Sequence, residues 1–166
     1  MLHLEVMKIR EGKLGDIILR GYRPSDVEAM YALDLTCFEP PFSFTRRAMK
    51  QLAEATGAVT VLAQSPSGLA GFCIVQMEGH IGYVVTLDVA PEWRRCGLAM
   101  LLMTEAEEKL LAHGATGMAL HVFAGNTPAI RFYERCGYQR AGAAKAFYAR
   151  GLDALTYRKP LVQMPG

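Results

Sequence analysis

The chain has 166 residues, 51% of them hydrophobic, and sets 18 Lys and Arg against 16 Asp and Glu for a formal net charge of +2. That is enough chain for one domain with a sizeable core, and too even a charge to call for nucleic acid or an anionic membrane as partner. No apolar run nears the roughly 20 residues that span a bilayer and the charged N-terminus is no signal sequence, so the sequence predicts a soluble, cytoplasmic protein.

Residues 1–16 carry Lys8, Arg10, Glu11 and Lys13. They read as an N-terminal extension of uncertain order in which Met7 offers an alternative start, while residues 17–166 read as a single domain. A strand is expected over 17–22, then a helix to about residue 38, capped by Ser25 or Asp26 and burying Val27, Met30, Tyr31 and Leu35. Pro40 and Pro41 break it. Ser43 or Thr45 starts a second helix that runs through Glu54 and stops at Gly57. Strands over 58–64, 69–78 and 80–89, the first two joined by a Ser-Pro-Ser-Gly turn, form an antiparallel meander. A helix over 97–113 turns Leu98, Leu101, Leu102, Leu110 and Leu111 inward and ends at Gly114. A strand over 117–123, a helix over 127–135 and strands over 138–141 and 153–161 complete the chain.

The four cysteines, Cys37, Cys73, Cys96 and Cys136, have neither zinc nor redox spacing and read as reduced thiols. His3, His80, His113 and His121 make no ligand pattern, so no metal is expected.

Chemistry is concentrated in two blocks. In the first, Leu87, Asp88 and Val89 end a strand, a proline turn follows, and Arg94, Arg95, Cys96, Gly97, Leu98, Ala99 and Met100 lead straight into a long helix. The N–H groups at a helix start lack partners, and the helix dipole there favours negative charge. With Gly97 and Ala99 permitting close main-chain approach and Arg94 and Arg95 beside them, the junction is suited to a pyrophosphate. The second block, Leu120 to Tyr138, reads as strand, loop, helix, glycine stop and new strand, with Asn126 at the helix start and Tyr133 within it.

Arg94-x-x-Gly97-x-Ala99 after a strand resembles the coenzyme A pyrophosphate loop of the GNAT superfamily of N-acetyltransferases, and Asn126-x-x-Ala129-x-x-x-Tyr133 resembles that family's second motif. The resemblance implies an α/β fold in which a mixed sheet of about seven strands carries helices on both faces. Two parallel central strands would splay apart to admit the pantetheine arm of acetyl-CoA, with coenzyme A as product. Main-chain groups at Leu87 and Val89 would bond the arm, one N–H polarising the thioester carbonyl; Asn126 would bond pantetheine and Tyr133 would be the general acid, with Phe132 in the core. Where bacterial ribosomal-protein-alanine acetyltransferases have a glutamate five residues before the motif asparagine, this chain has His121. That is similar instead to a eukaryotic N-terminal acetyltransferase pairing a histidine base with a tyrosine on the preceding strand, here Tyr83.

The acceptor implied is the α-amine of a protein or peptide N-terminus, of ribosomal-protein type among others. With a pKa of about 7.7–8.0 against about 10.4 for lysine, an α-amine asks little of a base, and an imidazole near 6.5 suits the task. The Pro40 to Thr45 turn resembles a substrate-side loop of protein N-terminal acetyltransferases and also fits an ordinary turn between helices. Residues 147–154 resemble the tyrosine-bearing loop that closes over a peptide, and equally an ordinary hairpin. A small-amine acetyltransferase (polyamine, aminoglycoside or amino acid) and a non-catalytic acyl-CoA-binding domain stand as alternatives, either as monomer or homodimer. Arg94, Arg95, Arg131, Arg135 and Arg140 lack the interleaved aromatics of a single-strand binder, so no direct nucleic-acid contact is expected.

Overall fold

The computed structural model describes residues 12–162; Met7 and residues 1–11 of the expected extension lie outside the described residues. Residues Gly12–Asp16 form a 3-10 turn that lies against the 91–97 loop, with Lys13 Nζ donating to the Glu92 carbonyl and standing 4.6 Å from the Trp93 ring centroid. Seven strands follow in a single mixed sheet: β1 (Ile18–Gly21), β2 (Ala58–Ser65), β3 (Gly68–Glu78), β4 (Ile81–Val89), β5 (Gly117–Phe123), β6 (Gln139–Ala149) and β7 (Leu152–Pro160), in the order β1-β2-β3-β4-β5-β7-β6. Four α-helices connect them: α1 (Val27–Cys37), α2 (Arg46–Glu54), α3 (Leu98–Ala112) and α4 (Thr127–Arg135). Among the described strands only β4 and β5 pair in parallel, because α3 crosses between them.

The helices lie on both faces. A Cβ added to Gly71 would meet Leu98 and Leu102 of α3, which places α3 on that face of β3. The next residue, Phe72, points the other way and is paired with Asp88, whose carboxyl meets Asp34 of α1. Between these layers Met30, Met49, Leu62, Phe72, Ile74, Leu98, Leu102, Leu110, Met118 and Tyr157 are almost wholly buried. Each such side chain contributes about 1.5–3 kcal/mol of burial, so the sheet is a rigid platform for whatever its C-terminal edge carries.

Several local expectations need correction. Asp26 does not cap α1: its carboxylate turns back to accept from Arg23 N at 2.7 Å and from Arg20 Nη1 and Nη2 at 2.9 and 2.8 Å, since a bidentate charged pair outcompetes a single cap bond. The guanidinium holds the Asp26 carboxyl below its ordinary range. For α2 the cap is Thr45, which accepts from Ala48 N at 3.1 Å. The sixth strand extends to Ala149, eight residues beyond the expected end, because β7 supplies its ladder where β-propensity is low. A register break between Ala144 and Ala149, with Ala146 at φ 54°, bends its end towards the sheet's centre.

Candidate active site

The parallel ladder between β4 and β5 stops early. It runs from Ile81↔Gly117 to Val84↔Leu120, although β4 continues to Val89 and β5 to Phe123. At the point of separation β4 carries an extra residue: Ile74 faces Thr86 while Val75 faces Val84, leaving Val85 as a bulge. A bulge bends its strand, so the two strands diverge and their facing edges lose each other as partners. Beyond the bulge, Ala90 N bonds Ala70 O of β3 at 2.8 Å. By strand alternation the Asp88 main chain also faces β3, whereas that of Leu87 and Val89 faces the gap.

A cavity of about 670 Å³ occupies this gap. Its lining includes Leu87, Val89, Arg94, Ala99, Asn126 and Tyr133 together with Phe38, Phe42, Phe44, His121, Phe123 and Tyr148. Beside Ala99, Gly97 (φ 90°) and Arg95 (φ 60°) turn the chain into α3, whose first intrahelical donor is Leu101, onto Gly97 O at 3.1 Å. The N–H groups of Leu98, Ala99 and Met100 are therefore the orphan donors of the helix. The two flanking arginines differ. Both are exposed, but Arg94 reaches the cavity, its Nε donating to Val89 O at 3.1 Å and its Nη2 lying 3.5 Å from Cys37 Sγ, while Arg95 has no partner among the described residues.

Asn126 caps α4, its Oδ1 accepting from Ala129 N at 3.3 Å, so its amide nitrogen remains a free donor at the cavity wall. About two turns further on, the Tyr133 ring packs 5.9 Å from Tyr138, and no described group bonds its hydroxyl. Burial pushes its pKa far up, keeping the phenol protonated.

Across the gap, Tyr83 Oη lies 2.7 Å from His121 Nδ1. Tyr83 lies within the paired region, facing Ala119, and His121 is the first β5 residue beyond the last pair, Val84 with Leu120, so the end of the ladder fixes their approach. Burial lowers the His121 pKa and raises that of Tyr83, leaving a neutral imidazole against a neutral phenol. Phe147 stacks on the imidazole with centroids 4.1 Å apart and planes 9° apart. Phe42, Phe123 and Tyr148 pack on one another beside it, with Phe42 5.0 Å from each of the other two.

The sequence-predicted residues thus divide. Leu87, Val89, Arg94, Ala99, Asn126, His121 and Tyr133 line the cavity, and Tyr83 reaches it through His121. Arg95, Cys96, Gly97 and Met100 belong to the turn or first helical turn outside the lining, and Leu98 is buried in the core. Asp88 lies elsewhere: its side chain is fully buried against Asp34 and its main chain faces β3. The Val89 carbonyl is taken by Arg94 and by Cys37 Sγ at 3.4 Å, leaving its N–H for the gap. Phe132, expected in the core, shares the cavity wall with Tyr133 because both rings flank the helix edge that meets the gap. The Val85 bulge and the wall residues Cys37, Phe38 and Val122 carry no sequence signal of their own.

The acetyltransferase (GNAT) family model matches residues 27–138, and the chain belongs to that family and is an N-acetyltransferase by that membership. An N-alpha-acetyltransferase of Saccharolobus solfataricus is 28% identical over 172 residues, covering 93% of this chain and all of that protein. Among solved structures, the ribosomal-protein-S18-alanine N-acetyltransferase of Escherichia coli superposes with a TM-score of 0.78 at 21% identity over 90% of this chain and 96% of that one. Arabidopsis thaliana NAA60 in complex with acetyl-CoA superposes at 0.77 and 23%, covering 87% and 98%.

Proposed function

We propose that the protein transfers acetyl from acetyl-CoA directly to the α-amine of a protein N-terminus, with both substrates bound together. One observation carries this reading: a single cavity between the parted strands brings Ala99, at the start of the orphan N–H turn, together with Tyr133, His121 and the aromatic rings of Phe42, Phe123 and Tyr148. The N–H groups of Leu98, Ala99 and Met100 would hold the diphosphate. The arm would then enter between β4 and β5 as an extra strand, bonding the free edge at Leu87 and Val89 and the Asn126 amide. An N–H on that edge polarises the thioester carbonyl as negative charge develops on its oxygen.

With Nδ1–H donating to the Tyr83 oxygen, the His121 Nε2 lone pair is free to take a proton from the incoming ammonium, directly or through one water. The amine then attacks, the C–S bond breaks, the Tyr133 hydroxyl protonates the departing sulfur, and the proton shed by the new amide nitrogen returns, through water, to the Tyr133 oxygen. A buried phenol is a weak acid, but the thiolate forms in the same desolvated pocket, where its own proton affinity is raised too.

The choice of a peptide over a polyamine or aminoglycoside follows from charge. No Asp or Glu stands among the cavity-lining residues, so a second ammonium would have no counter-ion, whereas an apolar or small first side chain meets Phe42, Phe123 and Tyr148. The relative from Saccharolobus solfataricus, named for α-amine acetylation, supports the same choice. A panel of tetrapeptides with free N-termini, tested beside spermidine, an aminoglycoside and free amino acids, decides it. Label on the peptide α-nitrogen is the expected result; turnover of the small amines alone sinks the substrate assignment, and binding of acetyl-CoA without any turnover sinks the catalytic one.

A further inference from the structure

Beneath the aromatic wall lies a pair of acids that the reaction does not use. Asp34 of α1 and Asp88 of β4 are both 0% exposed. Asp34 Oδ2 accepts from Phe44 N at 2.7 Å, and Asp88 Oδ1 accepts from Thr86 Oγ1 at 2.6 Å. The other oxygen of each, Asp34 Oδ1 and Asp88 Oδ2, is buried with no donor to satisfy it among the described residues, and the Asp34 carboxyl is near enough to Asp88 to raise its proton affinity. Two carboxylates cannot meet this way in a core; one proton between the two orphan oxygens satisfies both and leaves the pair with a single negative charge.

We propose that Asp34 and Asp88 share one proton and that this acid pair positions the 38–45 loop against the acceptor side of the cavity. The loop's other ties are the Phe42 ring contacts with Phe123 and Tyr148, Phe44 against the core, and the Phe38 N–H bond to Asp34 O at 2.9 Å. It leaves α1 at Cys37, carries Phe38, Phe42 and Phe44 into the cavity wall, and enters α2 at Thr45. Its Phe44 N–H is fastened to Asp34, and Asp34 is fastened through the shared proton to the strand whose Thr86 and Leu87 form the lip of the gap. The pair thus sets the distance between the acceptor's aromatic contacts and the thioester channel, and its residues are positioning residues because neither reaches the cavity.

The surroundings favour the protonated pair. Facing Asp88 are Asp34 from α1, Thr86 from β4 and the guanidinium of Arg94, with the Cys37 and Cys73 thiols and the Tyr133 phenol nearby. Burial keeps the thiols and the phenol neutral, so Arg94 is the one cation acting on the pair among the described residues, and it is already committed to Val89 O. Desolvation and the Asp34 contact outweigh it and hold the Asp88 proton well above the ordinary carboxylate range. Loss of that proton as pH rises puts two carboxylates in contact and frees the loop.

Asp88→Asn and Asp88→Ala separate this role from mere packing. The asparagine amide donates permanently to Asp34 and keeps the single negative charge; alanine leaves Asp34 Oδ1 with no donor. With the best tetrapeptide from the panel above, on whose turnover this arm rests, the alanine variant should raise the peptide KM at least fivefold with the acetyl-CoA KM unchanged. The asparagine variant should stay within twofold of wild type. Independently of activity, infrared difference spectra of wild type should show a carboxylic-acid C=O band that persists at pH 8 and is absent from Asp88→Asn. Absence of that band in wild type overturns the shared proton, and an asparagine variant as impaired as the alanine one overturns the positioning role; no turnover of any peptide with the band present would fault the substrate reading instead.

Discussion

At the scale of single residues, burial acts on the two groups proposed as acid and base. Tyr133 has no hydrogen-bond partner among the described residues and a pKa pushed far up by desolvation, so in the proposed mechanism its proton is held for the departing sulfur. Replacing it by Phe removes the proton and keeps the ring contacts with Phe132 and Tyr138. Turnover should fall about 10²-fold or more while calorimetry shows unchanged coenzyme affinity.

His121 works in the opposite direction. Burial disfavours its charged form, so the folded-state pKa lies below the ordinary imidazole value and the ring stays neutral to lower pH. The acidic limb of the kcat/KM profile should accordingly fall below about pH 6.5, and His121→Ala should abolish or displace that limb. Asn126 and Tyr133 were singled out by the spacing of the family motif they resemble, and seven residues, about two turns of helix, bring the two positions to one face. Asp88 was not: its neighbours in sequence are gap residues, and only the pairing with Phe72 shows that its side chain lies on the α1 face.

Among the elements, β4 decides most. It is straight and alternating in sequence, and its bulge at Val85 is visible only in the register with β3. Gly71, opposite Val89, is what lets β3 follow the bent strand: a Cβ there would stand 2.7 Å from Asp88 O, a main-chain atom that cannot yield without moving β4. Gly82, by contrast, would meet the side-chain ends of Leu110 and Met118, which can rotate. Gly71→Ala should therefore destabilise by about 1–3 kcal/mol, more than Gly82→Ala, in denaturant unfolding. It should also weaken peptide and coenzyme together, since both share the gap. The helices were the most readable elements, each marked by a cap or stop such as Thr45, Gly97 or Asn126. The sixth strand was the least, because an Ala- and Gly-rich run becomes a strand only when β7 offers it a ladder.

For the molecule as a whole, the cavity is a hole between two strands of one sheet, so filling it completes the sheet. A ligand that binds only the folded chain stabilises it by about 2.7 kcal/mol at 100 times its dissociation constant. For a chain of this length that corresponds to a rise in Tm of roughly 5–10 °C with coenzyme A. No rise at that excess would mean that the parted strands do not receive the coenzyme. The described helices include none long and apolar enough to cross a membrane, in keeping with a core gathered between the layers.

The order of elements and the parallel central pair were determined by the sequence alone, and its resemblance to the family singled out the helix start at Gly97 and the residues Asn126, His121 and Tyr133 as candidates. Each depends on spacing along the chain, which tertiary contacts do not alter. The tertiary structure decided where the central strands part, which of Arg94 and Arg95 reaches the cavity, that Phe132 joins Tyr133 there, and that Asp34 and Asp88 meet. These are relations between residues far apart in sequence, fixed by strand register and by burial, and neither quantity exists until the sheet has formed.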